Sequence, residues 1–313
     1  MKVPEMAEQP VRSLKPLPDD KTKDNPLVSV IVPTLNSERT LEGCLQSLRK
    51  QTWRRLETIV VDGFSRDRSV MIARAHADAV LQQRGERSEA RNTGARVARG
   101  DLLVFIDSDM YLAPNVLKEC ASLAQGTPAC AIIVPELGRG EGFWAACRAL
   151  EKRCTLGDPR QEAARAFTRA AWDLLGGFDA SLGPAGEDWD LTLRARERGI
   201  PIVRTQSPVE HDEGHISLRQ SALRKFYYGT HISKYVAKHR NVAKTQLLLL
   251  RPAYVRNRRL LAELPVTATG MFVLKGVELF AGWLGYHEGR ERNAGPVGDL
   301  AYGGLSEGSL LDD

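Results

Sequence analysis

Short apolar runs rich in β-branched residues recur along the first half of the chain, and segments with helical periodicity separate them. The clearest runs are residues 28–32, 58–61 and 102–106. After the first run, Leu41, Leu45 and Leu48 fall at i, i+4 and i+7, which is one face of a helix. Strands that alternate with helices of this length predict an α/β fold with a doubly wound, mostly parallel sheet flanked by helices.

Polar side chains follow these predicted strands directly. They are Thr34, Asn36, Asp62, Asp107 and Asp109. Sheets of this kind bind ligands beyond the carboxyl ends of their strands, so we expect these side chains to converge on one edge. The glycine-rich GxGxxG loop is absent after the first strand, where Pro33 and Thr34 stand instead, and this argues against a dinucleotide cofactor.

The segment Asp107-Ser108-Asp109 places two carboxylates one residue apart at the end of an apolar strand. Carboxylates this close are costly to hold together unless a cation lies between or beside them. Mg²⁺ and Mn²⁺ take oxygen ligands and bridge to substrate phosphates. A solvated turn is the structural alternative, but the position after a buried strand favours a metal or ligand site.

Three further groups have both a functional and a structural interpretation. Arg87 and Arg91 flank a predicted helix start, where arginines can clamp a phosphate or simply face solvent. Glu187 and Asp188 open a later helix, where acids favour the helix dipole but could also supply a general base. Asp62 could accept a hydrogen bond from a ribose hydroxyl or base N–H, or could stabilise a turn.

Two histidines occur in the segment "VEHDEGH", which we expect to follow a strand. A neutral imidazole could complete a metal site, and an isolated histidine is more often structural. His211 is the first candidate for a metal ligand and His215 the second.

Composition restricts the classes of partner and compartment. The net charge of +5 over 313 residues is too small to indicate nucleic-acid binding. Five widely spaced cysteines form neither a zinc motif nor a disulfide framework, so we expect reduced thiols and a cytoplasmic location. We expect residues 1–26 to be a flexible lead without a signal peptide. The sequence contains no run of 18 apolar residues, so we expect no membrane span.

Five motifs in this order are similar to those of the inverting glycosyltransferases of family 2, which have the GT-A fold. The motifs are "VSVIVPTLN", "IVVDGFSRD", "ARNTGARVARGDLLVFIDSD", "GGFD" and "GEDWDL". The resemblance covers about Val28 to His215. It implies a GT-A domain around one continuous sheet over residues 27–215, with a nucleotide-binding half (27–125) and an acceptor half (126–215). A helical region (216–292) and a disordered tail (293–313) would follow.

The resemblance also implies roles for individual residues. The donor would be a nucleotide-sugar, with a UDP-sugar favoured, and Mn²⁺ or Mg²⁺ would lie under its diphosphate. Asp188 would be the catalytic base, with Glu187 supporting substrate hydroxyls, and the metal ligands would be Asp109 and His211. Contacts to the nucleotide-sugar would come from the remaining motif residues, namely Pro33, Thr34, Asn36, Asp62, Arg91, Asp107 and Ser108.

The acceptor is not encoded in these motifs. A basic helix is predicted over residues 217–238, and residues 270–286 form an apolar helix that follows several arginines. This apolar helix could lie on the inner face of a membrane, pack in a core or form a homodimer contact. A lipid-linked, saccharide or small-molecule acceptor, as in polysaccharide, glycolipid or natural-product assembly, remains open. Two alternatives to a glycosyltransferase are a sugar-nucleotide pyrophosphorylase and a non-catalytic basic binding module. The pyrophosphorylase would need a basic glycine-rich loop after strand one.

Overall fold

A central sheet of mostly parallel strands organises the protein. The computed structural model describes residues 25–246 and 248–294, so the predictions for residues 1–24 and 295–313 lie outside the described residues. The strands of this sheet are β1 (Val28–Thr34), β2 (Leu56–Asp62), β3 (Ala79–Gln82), β4 (Leu102–Phe105), β6 (Ala131–Ile133), β8 (Ala164–Thr168) and β9 (Ile202–Arg204). Their order is β3-β2-β1-β4-β8-β6-β9, and β8 is antiparallel to both of its neighbours. The predicted α/β class is confirmed.

A second, smaller sheet lies beyond the end of β4. Its strands are β5 (Met110–Leu112), β7 (Glu136–Glu141) and β10 (Val209–His215), in the order β5-β10-β7. The chain therefore has two sheets where the resemblance implied one continuous sheet. The segment "VEHDEGH" is itself strand β10, whereas the sequence placed it after a strand. Its polar residues hid it, because apart from buried Val209 this strand lacks the apolar alternation that marks a half-buried strand.

Helices cover both faces of the central sheet and continue into a helical C-terminal part. They are α1 (Leu41–Arg49), α2 (Ser69–His76), α3 (Arg87–Val97), α4 (Val116–Gln125), α5 (Gly142–Thr155), α6 (Arg169–Leu175), α7 (Glu187–Glu197), α8 (Leu218–His231), α9 (Ser233–Lys238), α10 (Arg240–Gln246), α11 (Pro252–Arg256), α12 (Arg258–Glu263) and α13 (Pro265–Ala294). The single basic helix predicted over residues 217–238 is divided at Ile232 into α8 and α9.

Alternate residues of the central strands pack into separate cores on the two faces of the sheet. Val30 and Val32 of β1 belong to the core that includes Leu45 of α1. Ile31, between them, belongs to the core that includes Trp172 of α6. All three β1 residues are 0% exposed. Burial on both faces explains why the strand sequences are continuously apolar, and it leaves only the strand ends free to present polar side chains.

The long helix α13 has one buried face and one exposed apolar stripe. Buried Met271 and Leu274 pack with Cys147 and Leu150 of α5. The exposed apolar residues of the helix fall within about a third of its circumference and are Val266, Val273, Phe280, Trp283 and Leu284. Over the described residues, no helix has both the length and the hydropathy that crossing a membrane requires.

Glycines allow α8 and α13 to touch backbone to backbone. A Cβ at Gly229 of α8 would lie 2.3 Å from the Gly282 carbonyl oxygen, and one at Gly285 would lie 2.1 Å from the Phe226 carbonyl oxygen. Both distances are far below a normal carbon–oxygen contact, so only glycine fits at these two positions. The pairing of α8 with α13 therefore depends on the absence of side chains.

We predict that Gly285→Ala destabilises the protein by about 1–3 kcal/mol, because the added methyl group would force the two helices apart. The matched control is Gly276→Ala in the same helix, where an added Cβ would meet no atom within 4 Å. That control should be neutral or stabilising by up to about 1 kcal/mol, since alanine is the better helix former. Urea unfolding of both variants measures the difference, and equal stabilities would contradict the backbone contact.

Candidate active site

The ends of β1 and β2 lie side by side, because Thr34 pairs in register with Asp62. Both residues are buried. Asp62 Oδ2 accepts hydrogen bonds from the Ser65 amide at 3.0 Å and from Gln82 Nε2 at 3.2 Å. Within the part of the chain that the structure describes, buried Asp62 Oδ1 and Thr34 Oγ1 have no hydrogen-bond partner. Buried polar atoms are rarely left unsatisfied, so this strand edge is prepared to bond a polar ligand.

Asn36 ties the loop after β1 to the loop after β2. Its Oδ1 accepts a hydrogen bond from the Arg66 amide at 2.9 Å, and its own amide donates to Ser65 Oγ at 2.9 Å. Its φ of +48° lies in the left-handed region, which asparagine tolerates better than most residues. Pro33 lies within β1, opposite Val61. Direct contacts of Asn36 and Pro33 with a donor stay predictions.

The three side chains of Asp107-Ser108-Asp109 diverge in a turn, which the Met110 amide closes by donating to the Asp107 carbonyl oxygen at 3.1 Å. Ser108 Oγ donates to Ser37 Oγ at 2.8 Å. The Asp107 carboxylate contacts a buried arginine, and the Asp109 carboxylate contacts a histidine from β10. The two carboxylates therefore have different partners.

Arg91 is the centre of the carboxylate cluster. Only 1% of this residue is exposed. Its Nη2 donates to Asp107 Oδ1 at 2.6 Å, and its Nη1 donates to Asp188 Oδ1 at 2.8 Å and to Glu187 Oε1 at 3.3 Å. Burial opposes ionisation of Asp107, but Arg91 and then Arg165 hold the pKa of its carboxyl well below its usual range. Arg91 therefore joins the end of β4 to the start of α7, and its predicted approach to a diphosphate stays a prediction.

Two further arginines complete the cluster, and the sequence singled out only one of them. Arg165 of β8 lies 3.6 Å from Asp107 Oδ2 and also pairs with Glu136 of β7. Arg87, at the start of α3, lies 3.9 Å from Glu187 Oε1. The available signal for Arg165 was its position between two buried alanines in a strand, where a charged side chain is unusual unless it is paired.

The pair Glu187-Asp188 opens α7 directly after Gly186. Gly186 has a φ of +87°, and a Cβ there would lie 2.6 Å from Tyr235 Cγ, so this turn requires glycine. The Glu187 side chain is 4% exposed and that of Asp188 is 35% exposed. Burial, and next the charge of Asp188, raises the pKa of Glu187. Asp188 is therefore the carboxylate of this pair that a substrate can reach.

Asp109 and His211 form the candidate metal site. His211 Nε2 lies 3.1 Å from Asp109 Oδ2, and His211 Nδ1 lies 2.7 Å from Glu136 Oε1. Burial lowers the pKa of His211, but Asp109 and Glu136 together raise it to about 10. Asp109 Oδ1 is buried without a hydrogen-bond partner among the described residues. An unpaired carboxylate oxygen beside an imidazole oriented by a second carboxylate fits a divalent cation.

The protein side of this site supplies few ligands. No group of three or more histidine, cysteine, aspartate or glutamate side chains that could hold a metal ion is found within residues 25–246 and 248–294. A cation at Asp109 and His211 would therefore need oxygens from water and substrate, as Mg²⁺ commonly does with phosphates. The second histidine candidate, His215, lies at the far end of β10 opposite Glu141.

A cavity of about 1000 Å³ extends from this cluster toward the C-terminal helices. Asp107, Glu187, Asp188 and His211 line one side of it, and residues of α5, α8 and α13 line the other side. Thr34, Asn36 and Asp62 do not line this cavity and lie at the sheet edge. The site therefore has two parts, a strand edge with unpaired polar atoms and a deep cavity beside Asp188.

Known proteins are similar to this chain over the segment that contains the strand ends of the candidate site. The sequence profile described as Glycosyl transferase family 2 matches residues 29–168. The mannosyltransferase PcManGT from Pyrobaculum calidifontis, solved with GDP-Man and Mn²⁺, has a similar fold, with a TM-score of 0.57 at 19% sequence identity. That similarity covers 87% of this chain and 90% of the other. It extends past the profile match into the helical C-terminal part.

Curated relatives match over shorter stretches. The uncharacterized glycosyltransferase EpsJ of Bacillus subtilis (strain 168) is 40% identical over 106 residues, which cover 32% of this chain and 31% of EpsJ. A PGL/p-HBAD biosynthesis glycosyltransferase of Mycobacterium tuberculosis (strain ATCC 25177 / H37Ra) is 26% identical over 193 residues, which cover 57% of this chain and 73% of that protein. The match thus spans less than a third of the length of EpsJ.

The predicted resemblance is confirmed by these findings, since profile, relatives and fold agree on the segment that carries the strand-end carboxylates. Residues 29–168 of this chain thus match glycosyltransferase family 2, and the fold is of the GT-A type.

Proposed function

We propose that the protein transfers a sugar from a nucleoside diphosphate donor to a hydroxyl acceptor, with inversion at the anomeric carbon. The observation that carries this proposal is the Arg91 cluster, which holds Asp107 at the end of β4 beside Asp188 at the start of α7. A carboxylate on the donor side and a reachable carboxylate on the cavity side thereby face one reaction centre. A single displacement needs this arrangement and no covalent nucleophile.

The donor's nucleoside would lie against the ends of β1 and β2. Unpaired Asp62 Oδ1 can accept an N–H of the base or a ribose hydroxyl, and Thr34 Oγ1 can donate or accept beside it. Uracil and guanine both offer an N–H that suits a carboxylate. We favour a UDP-sugar as the donor, although the solved structure of PcManGT is a complex with GDP-Man.

Asp109 and His211 would hold Mn²⁺ or Mg²⁺ together with the donor diphosphate. The bound cation would supply Lewis-acid stabilisation of the charge that develops on the leaving diphosphate. Glu136 orients His211 through Nδ1, and Lys152 Nζ lies 2.6 Å from the same Glu136 oxygen. These contacts fix the direction in which His211 Nε2 points, which is toward Asp109.

Asp188 would accept the proton of the acceptor hydroxyl. Its Oδ1 is held by Arg91, and its side chain is the more exposed member of the pair. Asp188 lines the cavity, through which an acceptor would approach the face of the sugar opposite the leaving group. Glu187 is too buried for that role and would support hydroxyls or position Arg87.

We expect Asp188→Asn to lower turnover by about 10²–10⁴-fold, the usual contribution of a general base, while donor affinity changes little. Asparagine keeps an oxygen for Arg91, so the fold of the cluster should survive. The matched control is Asp173→Asn, an exposed aspartate of α6, which should turn over like the unmodified protein. Measurement of nucleoside diphosphate release, with donor binding in parallel, tests this, and normal turnover of Asp188→Asn would remove Asp188 as the base.

We expect Asp109→Ala to weaken donor binding in Mn²⁺ by about tenfold or more, equivalent to about 1.4 kcal/mol or more of lost coordination. In EDTA the variant and the unmodified protein should bind the donor equally, because no ion bridges them. A thermal-shift panel of UDP-, GDP- and dTDP-sugars, run with Mn²⁺ and with EDTA, measures both effects and identifies the nucleoside. Unchanged donor affinity of Asp109→Ala in Mn²⁺ would contradict the metal role.

We further propose that the exposed apolar stripe of α13 contacts an anionic membrane surface. Exposed Arg258 and Arg259 begin α12, the short helix before α13, and their charge suits anionic headgroups. Phe280 and Trp283 stack on each other at the surface, with ring centroids 6.2 Å apart. An exposed apolar stripe accompanied by basic residues is typical of helices that lie in a membrane interface.

Replacement of Phe280 by aspartate should abolish co-sedimentation with phosphatidylglycerol vesicles, because a charge would enter the apolar stripe. Leu174→Asp on α6 is the control, since Leu174 is equally exposed but lies outside the stripe. Size-exclusion chromatography without lipid tests the alternative that the stripe binds a second copy of the chain. A dimer that Phe280→Asp converts to a monomer, with vesicle binding unchanged, would assign the stripe to a second copy of the chain.

A further inference from the structure

Positive charge predominates on the helical side of the cavity. Helices α5, α8 and α13 contribute five cations and two carboxylates to its lining. The cations are Arg148, Lys152, Arg224, Lys225 and Lys275, and the carboxylates are Glu151 and Glu278. Burial of like charges together is unfavourable unless opposite charges neutralise them. The number and the contacts of nearby carboxylates therefore decide whether all five cations have a counter-charge within the protein.

The two carboxylates of the wall are already shared. Glu151 Oε1 lies 2.6 Å from Lys275 Nζ and 3.1 Å from Arg251 Nη1, from the segment before α11. Glu278 pairs with Arg148 and lies 4.0 Å from Lys275. Each carboxylate, with its single negative charge, thus lies against two cations. Among the described residues, Glu278 Oε2 accepts no hydrogen bond.

The carboxylate from β10 is shared in the same way. Glu213 lies 2.7 Å from Lys152 Nζ and 3.3 Å from Arg224 Nη2. Lys152 also pairs with Glu136. After these pairings, one cation of the wall still lacks a counter-charge in direct contact.

That cation is Lys225. Within the part of the chain that the structure describes, its ammonium group makes no hydrogen bond and has no carboxylate within 4.0 Å. Its contact is with the face of the Tyr228 ring, 5.6 Å from the centroid. Burial, reinforced by nearby Arg148 and opposed by Glu278, lowers the pKa of Lys225 to about 8. Lys225 is half-buried and lines the cavity, so its ammonium group is open to an anion that enters there.

A series of contacts connects Lys225 with the residues beside the proposed base. Tyr228, one helical turn beyond it, accepts a hydrogen bond from Arg87 Nη2 at 3.5 Å. Arg87 in turn lies 3.9 Å from Glu187, the neighbour of Asp188. Lys225, Tyr228, Glu187 and Asp188 all line the same cavity. An anion at Lys225 would thus belong to a molecule that reaches the acceptor side of the reaction centre.

We propose that Lys225, with Arg224 and Arg148, binds a phosphate group of the acceptor. This inference rests on the proposed transferase function and adds the substrate class, a hydroxyl acceptor that carries a phosphate. A carboxylate would supply one negative charge, whereas a phosphate monoester supplies nearly two and more acceptor oxygens, which suits several cations at once. The phosphate can belong to a phosphorylated saccharide or to a lipid phosphate.

The test is a titration with inorganic phosphate by calorimetry, with the donor site first filled by a nucleoside diphosphate and Mn²⁺. Lys225→Met should bind phosphate about tenfold more weakly or worse, as loss of a hydrogen bond to a charged group implies. Lys225→Arg should keep most of the affinity, because it restores the charge. The matched control is Lys118→Met on α4, an exposed lysine distant in the chain, which should bind like the unmodified protein.

Several outcomes would overturn the proposal. One is equal phosphate affinity of Lys225→Met and Lys118→Met in folded protein, with folding checked by thermal unfolding. Another is phosphate binding that disappears once nucleoside diphosphate fills the donor site, since the phosphate would then have occupied the diphosphate position. If the nucleoside diphosphate itself does not bind, the proposed donor site is contradicted instead. The phosphate affinities of Lys225→Met and the unmodified protein can then still be compared without nucleoside diphosphate.

Competition distinguishes the two sources of the phosphate. Glycerol 3-phosphate should displace inorganic phosphate if the acceptor is a water-soluble phosphate ester. Vesicles of phosphatidylcholine containing phosphatidic acid, but not phosphatidylcholine alone, should displace it if the acceptor is a lipid phosphate. Either displacement supports a phosphate-bearing acceptor and assigns its source, whereas displacement by neither would overturn it.

Discussion

The buried guanidinium of Arg91 is the interaction on which the rest of the site depends. It is bonded to carboxylates from the end of β4 and from the start of α7, and these segments are distant in the sequence. Without it, Asp107, Glu187 and Asp188 would repel one another in a poorly solvated space, and breaking such a buried pairing typically costs about 3–5 kcal/mol. The same cation that allows these carboxylates to gather thus sets the distance between the end of β4 and the start of α7.

The small sheet β5-β10-β7 has a comparable role for the candidate metal site. It places His211 of β10 opposite Met110, one residue after Asp109, so an antiparallel register brings imidazole and carboxylate together. Glu136 of β7 then contacts the other ring nitrogen. His211 is therefore fixed by strand pairing, which orients side chains more precisely than a loop does. Asp109 lies in the turn directly before β5, where its carbonyl oxygen accepts a hydrogen bond from the Asp212 amide at 2.8 Å.

Much of the fold and part of the site could be predicted from the sequence, because the relevant signals are local. Buried strands are continuously apolar, so the change to polar residues at Asp62 and Asp107 marks the ligand edge. The partnerships could not be predicted, because they join residues far apart in the chain. Nothing near Arg91 in the sequence indicates that its guanidinium is buried among carboxylates, and nothing near Lys225 indicates that it faces a cavity lined by other cations. Strand β10 was hidden for a different reason, since polar residues cover most of it.

The glycine contact between α8 and α13 has a mechanical consequence. Most packed helices are separated by a layer of side chains, which can change rotamers and absorb a small displacement. At Gly229 and Gly285 that layer is missing, and one backbone rests directly on the other. Any shift of α13, for example when its outer face meets another surface, must therefore be transmitted undiminished to α8. Helix α8, which carries Lys225 and Tyr228 into the cavity, is thus rigidly coupled to the exposed helix α13.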